Sequence, residues 1–308
     1  MTAMREVAVF LPPRVPVAEL QEDLGLTDDE LRTFVRSHGY GTVCHDPATS
    51  DAELLLGAAR NLGSLASLAP AVRYVVRSRS MRWSAPYPEV PAATVARAMG
   101  LEHAESFTLQ DRACAGALHA LDLAGTLLAA DPDPDALALL LVGEKTYGRV
   151  NRVIPGMSLQ GEATAAVLVS AQGPSDVLLS YRSEPVPVGG SSMAMDDAAR
   201  AHFSAVHWET FDSVVAQALD GAELTGQDIA LYLPMNTSRL ISAMGASRTG
   251  IPRSRIVSEL ARTGHCWGAD TFLNLRAALD DDRLAPGDHY LVTAVGIGAV
   301  FAAAVFRH

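Results

Sequence analysis

The stretch Gln110-Asp111-Arg112-Ala113-Cys114-Ala115-Gly116-Ala117-Leu118-His119-Ala120-Leu121 decides how the chain is read. The residues before it, 104–110, alternate as a short strand. From Cys114 to Ala130 only His119, Asp122 and Thr126 break an otherwise apolar run. A helix apolar on nearly every face belongs in the middle of a layered domain, not on a surface. Cys114 then stands where strand turns into helix, at the first helical residue. Unpaired backbone N–H groups and the positive end of the helix dipole favour a thiolate there, and the thiolate is the nucleophilic form. Ala113, Ala115 and Gly116 leave space for a substrate carbonyl. The plain alternative is a buried, inert thiol.

The rest of the composition suits such a domain. The 308 residues are 49% hydrophobic and 19% charged, which fits a globular chain with a large core and excludes a disordered one. The net charge of −11 comes without any basic run, which argues against nucleic acid or an anionic membrane as partner. The three cysteines, Cys44, Cys114 and Cys266, are odd in number and scattered, as expected in a reducing compartment. No secretory leader is evident, and the longest apolar runs, such as 136–142, read as too short to cross a bilayer. A cytoplasmic location is expected.

Outward from the cysteine, strands and helices alternate. Strands are expected over 6–11, 72–76, 136–143, 161–169, 177–181, 229–233, 289–295 and 300–306. Helices are expected over 17–24, from the Thr27 cap to His38, over 51–65, 91–99, 207–219 and 236–244, and from Thr271 to Leu279. The near-continuous apolar strand 136–143 suits a sheet covered on both faces, and the alternation gives an α/β fold. The loop 77–91, with Trp83, Tyr87 and three prolines, is long enough to be functional. The small, polar segment 189–195 separates two halves, 1–190 and 191–308, the second echoing the order of the first.

Four pieces in this order carry a resemblance: Asp111-Arg112-Ala113-Cys114-Ala115-Gly116, Gly161-Glu162-Ala163-Thr164-Ala165-Ala166, Pro234-Met235-Asn236-Thr237 and Val295-Gly296-Ile297-Gly298. Together they resemble the type III ketoacyl-ACP synthases of the thiolase fold, over nearly the whole chain. The resemblance implies two similar halves forming a five-layered αβαβα domain, a homodimer, and an acyl group held on Cys114 as a thioester. It implies no permanently bound cofactor; the donor is an acyl-CoA or an acyl carrier protein with its phosphopantetheine arm. The loop 77–91 would reach the neighbouring subunit, where Val90 replaces the aromatic residue of better-known relatives beside the acyl pocket. Arg77, Arg79, Arg82, Arg149 and Arg152 are candidates to grip the donor's phosphates.

The departures from that pattern bear on the reaction. Chain-elongating relatives have a histidine where this chain has Met235 and an asparagine where it has His265. Those side chains stabilise the enolate left when a malonyl thioester loses carbon dioxide, and methionine has no hydrogen to donate. Asn236 follows one residue late and points elsewhere. Glu162 stands in place of an aspartate. Ile297 replaces a glycine, which need not matter if its backbone N–H is the oxyanion donor beside that of Cys114. His265 and Asp270, five residues apart across a helix entry, can instead form the base and orienter of an acyl-transfer triad with Cys114. Asp270 can also cap the Thr271 helix, and His265 can be a histidine bonded only to backbone. Cys266 beside His265 completes no metal site, His119 reads as a core histidine, and His202 and His207 as surface ones. The expected activity is acyl transfer through Cys114 to a hydroxyl, amine or thiol of a small-molecule acceptor, with Val90, Met235 and Asn236 at the substrate. Carbon–carbon condensation and a non-catalytic partner subunit are the alternatives.

Overall fold

A computed structural model describes residues 2–81, 90–187, 196–296 and 298–308. The loop aromatics Trp83 and Tyr87, together with Arg82, Ile297 and the expected boundary at 190/191, lie outside the described residues.

Among the described residues nine strands form one sheet: β1 (Thr2–Phe10), β2 (Val72–Ser78), β3 (Glu105–Leu109), β4 (Leu137–Val142), β5 (Thr164–Ser170), β6 (Val177–Pro185), β7 (Ile229–Leu233), β8 (His289–Gly296) and β9 (Val300–Arg307). Their order is β7-β8-β9-β6-β1-β5-β4-β2-β3. The β2–β3, β2–β4 and β7–β8 pairs are parallel and the others antiparallel. The two halves have the same order, 3-2-4-5-1 against 7-8-9-6, and an isolated parallel bridge from Tyr232 to Ile256 stands where β3 has its counterpart. They meet at β1 and β6, joined by the short antiparallel register Thr2↔Leu178 and Ala3↔Val177. Although β6 precedes residue 190, it pairs along its length with β9.

The helices make the layers. In chain order the main ones are α1 (Asp51–Arg60), α2 (Pro91–Ala98), α3 (Gly116–Ala130), α4 (Asp197–Gly221), α5 (Arg239–Arg248) and α6 (Asp270–Asp280). Helices α1 and α2 lie outside the first half, α3 and α6 between the halves, and α4 and α5 outside the second. Strand alternation assigns each side chain to a layer. Leu140 and Val167 face the central helices beside Leu121 and Leu275, whereas Leu139 and Leu168 face Leu55 and Val95 outside. In the second half Ala302 and Ala304 face inward, whereas Ala303 and Val305 face Val214 and Phe211. This is the five-layered αβαβα arrangement of the thiolase fold.

Several boundaries differ from expectation. Strand β1 starts at Thr2, four residues early, because it runs through the seam between the halves. Helix α4 begins at Asp197 and spans 25 residues; Asp196 caps it by accepting from the Ala199 N–H. Helix α5 starts at Arg239 rather than Asn236, with Ser238 as its cap. Segment 113–130 has the length and mean hydropathy, 1.4, to cross a membrane, contrary to the reading that every apolar run is too short. In the fold it is the central helix packed between the two sheet halves.

Candidate active site

Strand β3 ends at Leu109, and the chain reverses through Asp111 (φ 76°) and Ala113 (φ 44°) before one 3-10 turn, Ala113–Ala115, leads into α3. Two non-glycine residues in the left-handed region within three positions form a strained elbow, of the kind retained where function requires it. Cys114 therefore lies in the 3-10 turn that leads into α3 and is not the helix's first residue. It is 3% exposed. The end of β8 comes down onto this elbow: a Cβ on Gly296 would lie 2.4 Å from the Arg112 carbonyl oxygen and 3.1 Å from the Ala113 Cβ. Only glycine permits that approach.

His265 comes from the other half. Its backbone is fixed by two hydrogen bonds to the 159–161 segment: its N–H donates to the Leu159 carbonyl at 2.9 Å, and its carbonyl accepts from the Gly161 N–H at 2.8 Å. A Cβ at Gly161 would stand 2.2 Å from the Thr263 carbonyl oxygen. The first residue of the Gly161 block thus serves to let the histidine segment dock. Glu162, next in line and fully buried, is committed elsewhere. It accepts from Lys145 Nζ at 3.0 Å, Thr146 Oγ1 at 2.7 Å and the Asp46 N–H at 3.0 Å. Burial opposes its charge, but the hydrogen bonds from His45, Asp46 and Thr146 outweigh it and hold the carboxyl down at about 2.

The imidazole connects two groups. Its Nε2 lies 3.3 Å from Cys114 Sγ and its Nδ1 lies 2.5 Å from Asp270 Oδ2. Asp270 is the first residue of α6, and its side chain caps nothing on that helix, whose N-cap is Ala269. The carboxylate instead accepts the Asn236 N–H on Oδ2 at 2.8 Å and the Cys266 N–H on Oδ1 at 2.7 Å. The expected capping role is therefore overturned by the helix beginning one residue early and the side chain turning back. His265 is 1% exposed and Asp270 0%. Burial by itself disfavours the imidazolium, yet the Asp270 charge and the Cys114 sulfur more than offset this and raise the His265 pKa well above its ordinary value. An imidazolium beside the sulfur stabilises a thiolate.

Beside this trio opens a cavity of about 430 Å³, large enough for a drug-sized ligand. Its wall includes His265, Met235, Tyr232, Phe203, His207 and Trp208, and no Lys, Arg, Asp or Glu is among its described lining residues. Met235 lines it, and its Sδ accepts from the Val295 N–H at 2.9 Å. Asn236 does not: it is fully buried, with Oδ1 accepting from Ser258 Oγ at 2.8 Å, so its assignment to the substrate is corrected. Val90 is also absent from this wall and is 58% exposed on its own chain. His207, expected at the surface, is a wall residue, and burial lowers its pKa. Sequence reading missed it with Trp208 and Phe203 because α4 shows no clean apolar face over this stretch. The phosphate-gripping arginines are mostly occupied. Arg77 is buried on Asp51, Arg152 pairs with Asp23, Arg79 Nε donates to the Met81 carbonyl, and Arg149 to those of Leu24 and Gly25. No metal-binding cluster occurs among the described residues.

Known proteins resemble both the part that carries His265 and Asp270 and the whole fold. Residues 219–308 match the family model of the 3-oxoacyl-[acyl-carrier-protein (ACP)] synthase III C terminal. Over 319 aligned residues, covering 96% of this chain and 93% of the relative, it is 28% identical to β-ketoacyl-[acyl-carrier-protein] synthase III 3 of Streptomyces coelicolor. In sequence, the chain is similar to type III ketoacyl-ACP synthases. Among solved structures it superimposes on ChlB3, described as an acyltransferase, with a TM-score of 0.85 at 22% identity, covering 99% and 97% of the two chains. The priming β-ketosynthase of the R1128 polyketide biosynthetic pathway matches with a TM-score of 0.80 at 19% identity, covering 100% and 96%. These likenesses establish the thiolase fold.

Proposed function

We propose that this chain is an enzyme, a ketosynthase III-like acyltransferase. It would take an acyl group from coenzyme A or an acyl carrier protein onto Cys114 and pass it to a hydroxyl, amine or thiol of a small-molecule acceptor. The observation that carries the reading is the relay from Cys114 Sγ through His265 to Asp270, at 3.3 Å and 2.5 Å. Nucleophile, base and orienter in hydrogen-bond contact are the requirements of covalent acyl transfer.

In the first half-reaction the Cys114 thiolate attacks the donor's thioester carbonyl. The carbon–sulfur bond to the donor breaks, and the departing pantetheine thiol takes the proton that His265 Nε2 had received from Cys114. In the second, His265 removes the acceptor's proton as the acceptor attacks the acyl–Cys114 carbonyl, and the proton returns to the sulfur. Asp270 keeps the imidazole in one orientation and favours its charged form throughout. The Cys114 backbone N–H, which the family resemblance pairs with that of Ile297, is the proposed donor to the tetrahedral oxyanion.

Met235 supports transfer over decarboxylative condensation, since it removes a donor from the enolate site and its sulfur is turned to the Val295 N–H. A specialised, polyketide-type pathway fits the R1128 and ChlB3 likenesses. We further propose a homodimer, divided functionally into a Cys114-bearing half (1–190) and a His265/Asp270-bearing half (191–308), with exposed Val90 facing the partner's acyl pocket. The test is intact-protein mass spectrometry after mixing with acyl-CoA and acyl carrier protein donors, then with alcohol, amine and thiol acceptors. The expected result is an acyl adduct that maps to Cys114, is lost in Cys114→Ala, and is discharged by an acceptor. Discharge by a malonyl carrier protein into a ketoacyl product would replace transfer with condensation; no adduct from any donor would point to a non-catalytic subunit.

A further inference from the structure

Trp267 stands two residues beyond His265 and has no part in the relay. It is 4% exposed, and its indole Nε1–H finds no acceptor among the described residues. A buried donor left unmatched is costly, and such groups are few in folded proteins. Its backbone adds a second cost: φ is +58°, a left-handed conformation that is a true outlier for a bulky side chain. The strained turn Trp267–Ala269 places the indole in one cluster with Cys114 and Met81, against which Met235 packs, with its ring centre 6.0 Å from that of His265. The side chains of those three neighbours offer sulfur, a weak acceptor, and no oxygen. The donor is thus held, unpaired, in the apolar cluster that encloses the nucleophile.

We propose that the acyl group carried on Cys114 bears a keto or hydroxyl oxygen beyond its thioester carbonyl, and that this oxygen accepts the Trp267 Nε1–H. The proposal rests on the acyl–Cys114 reading above and adds the substrate class to it. A plain alkyl chain of equal length would leave the N–H unmatched. Sites built to hydrogen-bond a substrate group discriminate strongly against the analogue without it, for this reason. Trp267 is then a specificity residue that selects oxo- or hydroxyacyl donors over alkyl ones.

The experiment compares single-turnover loading of Cys114 from acetoacetyl-CoA and butyryl-CoA, chains that differ in one keto oxygen, in the wild-type protein and in Trp267→Phe. Phenylalanine keeps an aromatic ring and removes the donor. The expected result is that Trp267→Phe slows acetoacetyl loading roughly tenfold more than it slows butyryl loading, the worth of one hydrogen bond. A second readout needs no variant. In tryptophan-labelled wild-type protein, the Trp267 indole N–H resonance should move downfield when Cys114 carries acetoacetyl and stay in place with butyryl. Equal slowing of both donors, with both adducts shifting the resonance alike, would mean that the indole serves the thioester carbonyl, and would overturn the proposal. So would adducts from both donors with neither rate nor resonance responding. Adducts from both donors leave the acyl–Cys114 reading standing in those cases; no adduct from either overturns that reading and this proposal together.

Discussion

Asp270 Oδ2 lies 2.5 Å from His265 Nδ1, and both oxygens of that carboxylate are also engaged by backbone N–H groups. The arrangement leaves no place for an amide. In Asp270→Asn either orientation turns an NH₂ toward an N–H donor, from Cys266 on one side or from Asn236 and His265 on the other. The variant should therefore lose about 1–3 kcal/mol of stability as well as activity. His265→Ala should slow transfer by about a hundred- to ten-thousandfold, the loss expected for a general base. Combined with His265→Ala, Asp270→Asn should add little further loss of rate, because groups acting as a unit are not additive. Thermal melts and single-turnover loading of the three variants measure both quantities. Rate losses that multiply would separate Asp270 from the relay.

Met235 makes a prediction about malonyl thioesters. With its sulfur accepting from Val295 and no hydrogen to give, the enolate of decarboxylation lacks one stabilising donor. Loss of one such donor typically costs about a hundred- to a thousandfold in turnover. Malonyl-loaded protein should keep its full acyl mass over the time in which acetyl is transferred. Prompt conversion of the malonyl adduct to acetyl, read by the loss of carbon dioxide in the mass spectrum, would show that another donor has replaced the missing one.

What was legible in the sequence followed from local chemistry. The strand at Ile229–Leu233 and the αβ alternation could be read from apolar periodicity, and the helix start at Asp28 from the Thr27 cap before it. The pairing of His265 with Asp270 was legible because five residues across a helix entry bring the two side chains together. The fate of the Asp270 carboxylate was not, since two of its three donors are backbone groups whose directions no residue type reveals. Nor was the start of α4, where small and polar residues carry no apolar stripe, or the His207 wall that depends on it. Nothing in the sequence singled out Trp267; its strain and its unmatched N–H exist only in three dimensions.

Glu144 links pH to the Ser80–Met81 segment beside the nucleophile. Fully buried, it accepts the N–H groups of Ser80 and Met81, and Met81 packs on Cys114. Burial raises its pKa to about 7 despite those hydrogen bonds and nearby Arg77. A carboxyl that holds its proton more tightly when folded favours the folded state below its ordinary value of 4.5, and that advantage is lost as pH rises from there through about 7. Melting temperature should therefore fall between pH 5 and pH 8. His265, with its raised pKa, acts in the same direction from its unfolded value of 6.5 upward. Glu144→Gln keeps an oxygen for the two N–H groups without a titrating proton and should flatten the lower part of that fall. An unchanged slope between pH 5 and pH 6.5 would remove Glu144 as its source.

Gly296 tests whether the elbow's geometry is set by its neighbours. The end of β8 approaches so closely that an added Cβ would meet the Arg112 carbonyl oxygen at 2.4 Å and the Ala113 Cβ at 3.1 Å. Both atoms are fixed by the backbone next to Cys114, and neither belongs to a flexible side chain that could swing aside. The strain in Gly296→Ala must then be relieved by moving either the β8 end or the elbow, and overpacking of this kind costs about 1–3 kcal/mol. The Cys114–His265 separation of 3.3 Å would change with it. Because His265 is anchored separately, on Leu159 and Gly161, it would not follow the elbow. Gly296→Ala should thus remain folded, melt lower, and load Cys114 far more slowly than its lost stability accounts for. Supplying a more reactive acyl donor should restore little of that rate, since the defect is in the alignment of thiol and imidazole. A variant that melts lower but loads at the wild-type rate would show that the elbow holds its own shape, and that β8 only leans against it.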